Sequence, residues 1–213
     1  MDVILTCDIG TTACKCTAFA ADGARLADVR IDYSTEYPRP GWAQQSADMF
    51  VDAALRGLAQ LAGSVSPDDV CAIGLSGQMN ALIPVDADGN ALHPSIIHSD
   101  SRSAPQVDEI AAHISPEDFY ALTGNRLDCH YTLTKLLWLR QHMPEVYSRM
   151  RWAVQSKDYV YSHLTGRVGI TDYSDASLTI ALDIRRGCWA EELLRELGID
   201  PAIMPRILPS HDV

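Results

Sequence analysis

Val3-Ile4-Leu5-Thr6-Cys7-Asp8-Ile9-Gly10-Thr11-Thr12 opens the 213-residue chain and leads directly into a second apolar run that carries Lys15. The alternation predicts two antiparallel strands joined at Gly10-Thr11-Thr12. Gly10 permits a tight turn, the Thr11 and Thr12 hydroxyls and amides can donate to phosphate oxygens, and Asp8 can hold a magnesium-bound water. Period-two geometry puts Lys15, Thr17 and Phe19 on one face and Cys14, Cys16 and Ala18 on the other, which separates the lysine from the cysteines. The same string also fits a plain hairpin turn, and it is not a Walker loop, because no G-x-x-x-x-G-K pattern is present. Ala21-Asp22-Gly23-Ala24 predicts a second hairpin and a third strand over residues 25–33.

Composition narrows the function classes. The chain is 47% hydrophobic, enough for a substantial core, and its formal net charge of −11 opposes binding to a nucleic-acid backbone. It has no apolar run of membrane-spanning length and no basic segment with a cleavage site at Met1-Asp2-Val3. The expectation is a cytoplasmic protein with no membrane and no nucleic-acid partner. The six cysteines form no CxxC pair. Cys7, Cys14 and Cys16 lack a nearby histidine, so reduced structural thiols are expected in preference to a metal site.

Pro38, Pro40 and Gly41 mark a loop, either a lid or an inert crossover, that delivers Trp42. A helix should follow, capped by Ser46, with Phe50, Ala54, Leu58 and Leu61 inward and Gly63 at its end. Residues 70–76 read as a buried strand reached by that crossover. Residues 103–144 read as short helices forming an insertion that decorates the sheet. Residues 152–154 read as a strand, Ser156 as the cap of a helix ended by Gly166, and residues 189–197 as a last helix.

Three antiparallel strands opening on Asp-x-Gly-Thr resemble the start of an actin-like, ribonuclease-H-like ATPase domain. That implies an α/β fold with a mixed sheet flanked by helices and a helical insertion at about residues 103–150. Further stretches resemble the FGGY carbohydrate kinases and their xylulokinase-like branch. They are Gly41-Trp42-Ala43-Gln44-Gln45, Gly74-Leu75-Ser76-Gly77-Gln78-Met79, Asp100-Ser101-Arg102, Lys135-Leu136-Leu137-Trp138-Leu139, Lys157-Asp158-Tyr159 and Thr171-Asp172-Tyr173-Ser174.

The resemblance implies an ATP- and magnesium-dependent transfer of phosphate to a sugar or polyol hydroxyl, with residues 1–213 as an incomplete N-terminal sugar-binding domain. Gly10, Thr11, Thr12 and Lys15 would meet the phosphate and Asp8 would bind magnesium through water. Gln78, Met79, Asn80, Asp100, Arg102 and His130 would meet the sugar. Asp172 is expected to act from behind the site, with Lys157-Asp158-Tyr159 serving as helix-start packing. Two departures point to an unusual substrate: Asn80 stands where familiar xylulokinases have histidine, and His98 stands where the family commonly has tryptophan. The family's general base, in a Gly-x-x-Asp segment after a further strand, is not in this chain, nor is the C-terminal nucleotide-binding domain. The chain alone is therefore expected to lack kinase activity. A kinase for another polyol, such as ribulose, gluconate or an autoinducer sugar, and a non-catalytic sugar-binding module remain alternatives. A homodimer is left open.

Overall fold

A computed structural model describes residues 2–212. β1 (Val3–Ile9) and β2 (Ala13–Ala20) pair antiparallel with Asp8 opposite Lys15 and Cys7 opposite Cys16, and β3 (Arg25–Asp32) extends the run. The chain then passes through β4 (Gln44–Gln45) and helix α1 (Ala47–Ala62) into β5 (Val70–Gly77), which lies parallel to β1. The sheet order is β3-β2-β1-β5. A parallel neighbour requires such a crossover, and the amphipathic α1 provides it. Val3, Leu5, Cys7 and Ile9 alternate onto one face of the sheet, where they meet Cys14, Cys16, Phe50, Ala54 and Leu61 in a single core. Gly57 sits mid-helix because α1 approaches β2 closely: a Cβ there would lie 2.4 Å from the Cys16 sulfur.

β5 departs from the expected buried strand. It forms the sheet edge, with Cys71, Ala72, Ile73 and Gly74 exposed. Its apolar run reads as a strand covered on both faces, the habit of parallel strands, while β1 supplies its only ladder among the described residues.

β6 (Ile83–Val85) and β7 (Ser95–Ile96) follow, and β7 pairs with β4. The expected helices are α2 (Pro105–Ala111), α3 (Pro116–Thr123), α4 (Thr132–His142) and α5 (Pro144–Arg149). They build a second core around Ile110, Phe119, Leu133, Leu137 and Leu139 that also takes in Ile180 and Leu194, so they do more than decorate the sheet. β8 (Trp152–Val154) pairs with β6. Helix α6 (Ser156–Thr165) is capped by Gln155 and Asp158 in a reciprocal capping box, not by Ser156, and ends at the left-handed Gly166. Ser46 occupies the N-cap of α1 without a side-chain hydrogen bond.

β9 (Ile170–Asp172), α7 (Tyr173–Ser177), β10 (Leu182–Asp183), β11 (Cys188–Trp189), α8 (Glu191–Glu196) and β12 (Arg206–Leu208) complete the chain. Trp189 lies in β11 instead of starting the last helix, held by its indole N–H donating to the Pro205 carbonyl at 2.7 Å. Among the described residues no helix is long and apolar enough to cross a membrane.

Candidate functional site

The Gly10–Thr12 turn stands at the C-terminal end of β1, beside the C-terminal end of β5, the end of parallel strands where α/β sheets receive ligands. All three of its carbonyls are taken up by protein donors. Tyr33 Oη donates to the Gly10 carbonyl, Gln45 Nε2 to that of Thr11 at 2.7 Å, and the Tyr33 amide to that of Thr12 at 3.1 Å. The Thr11 and Thr12 hydroxyls make no hydrogen bond to described residues. Carbonyls turned to the protein and hydroxyls left over suit an anion. On the face opposite the core, Lys15 Nζ lies 3.9 Å from Asp8 Oδ2, and both side chains are about half exposed, at 58% and 49%.

Gln78 follows β5 immediately, and its amide donates to the Ile9 carbonyl at 2.7 Å. Its side-chain Nε2 donates to Gln45 Oε1 at 2.9 Å. Gln45, fully buried, therefore joins Gln78 to the Gly-Thr-Thr turn through one side chain. Asn80 occupies a left-handed conformation at φ 61°, tolerated by asparagine, and Met79 projects into solvent between them at 50% exposure. Gln78 Oε1 and Asn80 Oδ1 are buried without a hydrogen-bond partner among the described residues.

Lys135, from α4, assembles the other wall. Its ammonium donates to the carbonyls of Asn80 and, at 2.7 Å, His130, tying the two segments together. Burial pushes the Lys135 ammonium down to about 7, against the opposing pull of Asp100. His130 is exposed and oriented by Asp128, whose Oδ1 lies 2.5 Å from its Nδ1. Burial, then the charges of Lys135 and His130, holds His98 below the usual imidazole range, so its ring is neutral and able both to donate and to accept.

Asp100 and Arg102 lie beneath this surface with no side-chain exposure. The Asp100 oxygens accept from Arg102 Nε at 3.0 and 2.9 Å, from Arg102 Nη2 at 2.8 Å, from the Arg102 amide at 2.9 Å and from the Ala43 amide at 2.5 Å. The guanidinium stacks 3.9 Å over Trp42, which meets Trp138 edge-on at 5.2 Å, and donates to Gln44 Oε1 at 3.2 Å. The Trp42 loop is thus pinned to the 100–102 turn, with Ser101 donating to the Gly41 carbonyl from its amide and its hydroxyl. Neither carboxylate oxygen of Asp100 reaches the surface.

Lys157 bridges Asp172 at 2.7 Å and Asp175 at 3.3 Å, while Asp172 caps α7 through the Asp175 amide. These residues brace α6, β9 and α7 behind the end of β5. Gln45 and Lys135 went unrecognised as site residues in the sequence: both stand in motif stretches, but neither burial nor partners can be read from spacing.

Lys135 yields a prediction. The folded state has released by about pH 7 a proton that the unfolded chain keeps to about 10.5, so between those values the unfolded state binds more protons and stability must rise with pH. The stability difference between the parent and Lys135→Met, from urea unfolding, should shift in favour of the parent by about 2 kcal/mol from pH 7 to 9. A difference independent of pH would show that the amine keeps its ordinary titration.

Comparison with known proteins accounts for this arrangement. Residues 3–213 match the model of the N-terminal domain of the FGGY family of carbohydrate kinases. The chain is 33% identical over 211 residues to the xylulose kinase of Staphylococcus xylosus, covering 99% of this chain and 44% of that protein. It is 31% identical over 218 residues to the glycerol kinase of Symbiobacterium thermophilum, with coverage of 99% and 44%. The ligand-bound xylulose kinase from Lactobacillus acidophilus superposes with a TM-score of 0.91 at 28% identity, covering 98% of this chain and 42% of that one. The chain thus spans less than half the length of these relatives. With its motif stretches in order and the Asp8 hairpin, Gln78 segment and Lys135 helix converging at one end of the sheet, the chain belongs to the FGGY family of carbohydrate kinases, as its N-terminal domain.

Proposed function

We propose that this chain is the sugar-binding part of a kinase that transfers the γ-phosphoryl group of ATP to a hydroxyl of a sugar or polyol. The observation that carries this reading is the hydrogen-bonded chain from Gln78 through Gln45 to the Thr11 carbonyl, which couples a polyol-facing side chain to a phosphate-facing turn. Gln78 and Asn80, with buried unpartnered oxygens, are suited to sugar hydroxyls, and His98 and His130 provide further polar contacts beside the exposed Met79. Asp100 and Arg102 act as a positioning pair that fixes the Trp42 loop. The Thr11 and Thr12 hydroxyls, the Gly10 turn and Lys15 are suited to receive the transferred phosphate, and Asp8 would hold, through water, the magnesium that accompanies ATP, which would supply neutralisation of phosphate charge. Positioning and charge stabilisation then supply most of the rate, while the base that accepts the hydroxyl proton comes from the polypeptide beyond this domain.

That polypeptide packs on the open edge of β5 and the adjoining groove of 380 Å³, where Ile73, Leu75, Tyr161, Leu164 and Leu208 leave apolar surface beside Lys157. Without it, the 213-residue chain binds sugar weakly and does not turn over ATP.

The test is coupled ADP release by the intact kinase across ketopentoses, polyols and sugar acids, compared by kcat/KM. One member of the panel should be phosphorylated, and D-xylulose should not lead every competitor by several orders of magnitude. Asn80 stands where familiar xylulokinases have histidine, and losing one well-placed imidazole hydrogen bond removes about 1 kcal/mol or more of discrimination. Sugar-independent ADP release, or none with any polyol, would defeat the kinase reading, whereas overwhelming preference for D-xylulose would defeat only the substrate argument.

A further inference from the structure

Cys7, Cys14 and Cys16 have no part in the site described above. They project to the covered face of β1 and β2, opposite Asp8 and Lys15, and none is more than 1% exposed. The Cys7 and Cys16 sulfurs are 3.1 Å apart and those of Cys14 and Cys16 are 3.7 Å apart. All three lie within 4.8 Å of one another, and no histidine or carboxylate belongs to the cluster. Sequence spacing alone argued against a metal for want of histidine, but strand pairing makes three sulfurs converge.

We propose that Cys7, Cys14 and Cys16 form a three-sulfur site for a trivalent, thiophilic p-block oxyacid, of which arsenous acid is the simplest. Bonds to sulfur of about 2.3 Å place neighbouring sulfurs about 3.8 Å apart at tetrahedral angles and about 3.3 Å apart at right angles. The 3.7 Å separation falls within that range and the 3.1 Å separation lies about 0.2 Å below it, so a small widening of the Cys7–Cys16 pair would seat a pyramidal centre bound by three sulfurs. Charge decides the class of ion. Zinc seeks a fourth ligand and, with three thiolates, leaves a net negative charge in an apolar core, which is costly without a partner. A trivalent centre with three thiolates is neutral.

The exchange balances without oxidant or reductant. Arsenous acid and three thiols give the trithiolate and three waters; three As–O bonds break, three As–S bonds form, and each thiol proton leaves with a hydroxyl group. Burial keeps out the water that would reverse the exchange, since α1 packs directly over the cluster at Gly57.

The experiment incubates the intact kinase with arsenite in a phosphine reductant, both natively and during refolding from urea. Native mass spectrometry should show the mass of one arsenic less three hydrogens, and X-ray absorption should show three sulfur neighbours and no oxygen. Alkylation in urea, mapped on peptides, should find Cys7, Cys14 and Cys16 protected only in the arsenite-treated protein, while Cys71 and Cys188 react with or without arsenite. Cys16→Ser should lose uptake, and Cys71→Ser should retain it. The absorption and alkylation readouts use the unsubstituted protein and stand even if Cys16→Ser fails to fold. No arsenic uptake by either route, fewer than three sulfur neighbours, or protection confined to other cysteines would overturn the assignment.

Discussion

Asp8→Ala is expected to lower kcat of the intact kinase by about 10²–10³-fold, the usual effect of removing one group that stabilises transition-state charge, while sugar KM stays nearly unchanged. The carboxylate lies opposite Lys15 in the β1–β2 register, on the face away from the core, so the substitution removes charge and leaves the hairpin's packing intact. Phosphate charge shifts as the phosphoryl group moves, so if Asp8 holds a magnesium-bound water, as proposed, it would contribute most in the transition state. Lys15→Ala should fall in kcat likewise. Parental turnover in both variants would reduce the Gly-Thr-Thr turn to a structural hairpin and remove the phosphate from the position assigned to it.

Asp100→Ala is expected to destabilise the fold by about 3–5 kcal/mol, because removing one partner of a buried ion pair leaves the other charge uncompensated. The Ala43 amide would also lose its acceptor, and the guanidinium would remain between Trp42 and Trp138 without a counter-charge. The double variant Asp100→Ala/Arg102→Met should recover much of the loss, since an apolar side chain of similar reach fits the aromatic cleft. Urea unfolding of the three proteins provides the check. A loss below about 1 kcal/mol in the single variant would place the pair in a wetter setting than its burial implies.

The β1–β2–β3 meander was legible from residue order, because period-two alternation and the Gly10 and Gly23 turns are local properties of the chain. So was the separation of Lys15 from the cysteines, which follows from the pleat alone. The short helices over 103–144 were legible as such, and the Ser115 hydroxyl accepts the Asp118 amide at the start of α3. Residue order failed where two distant segments meet. It read β5 as buried because a parallel strand's apolar run shows its intended cover, not which neighbours are at hand. It gave no sign that Asp100, read as an acceptor for sugar hydroxyls held in place by Arg102, is fully buried, because a carboxylate's partners, here the Ala43 amide 57 residues away, leave no mark on local spacing. It passed over Lys135 because an amine in an apolar helix gives no sign that two carbonyls from separate loops await it. By itself the sequence determined the strand and turn pattern, the family and the residue types at the site. Only the tertiary structure decided which of those groups stay open to a ligand, because exposure, hydrogen-bond saturation and the convergence of three sulfurs depend on contacts between segments far apart in the chain.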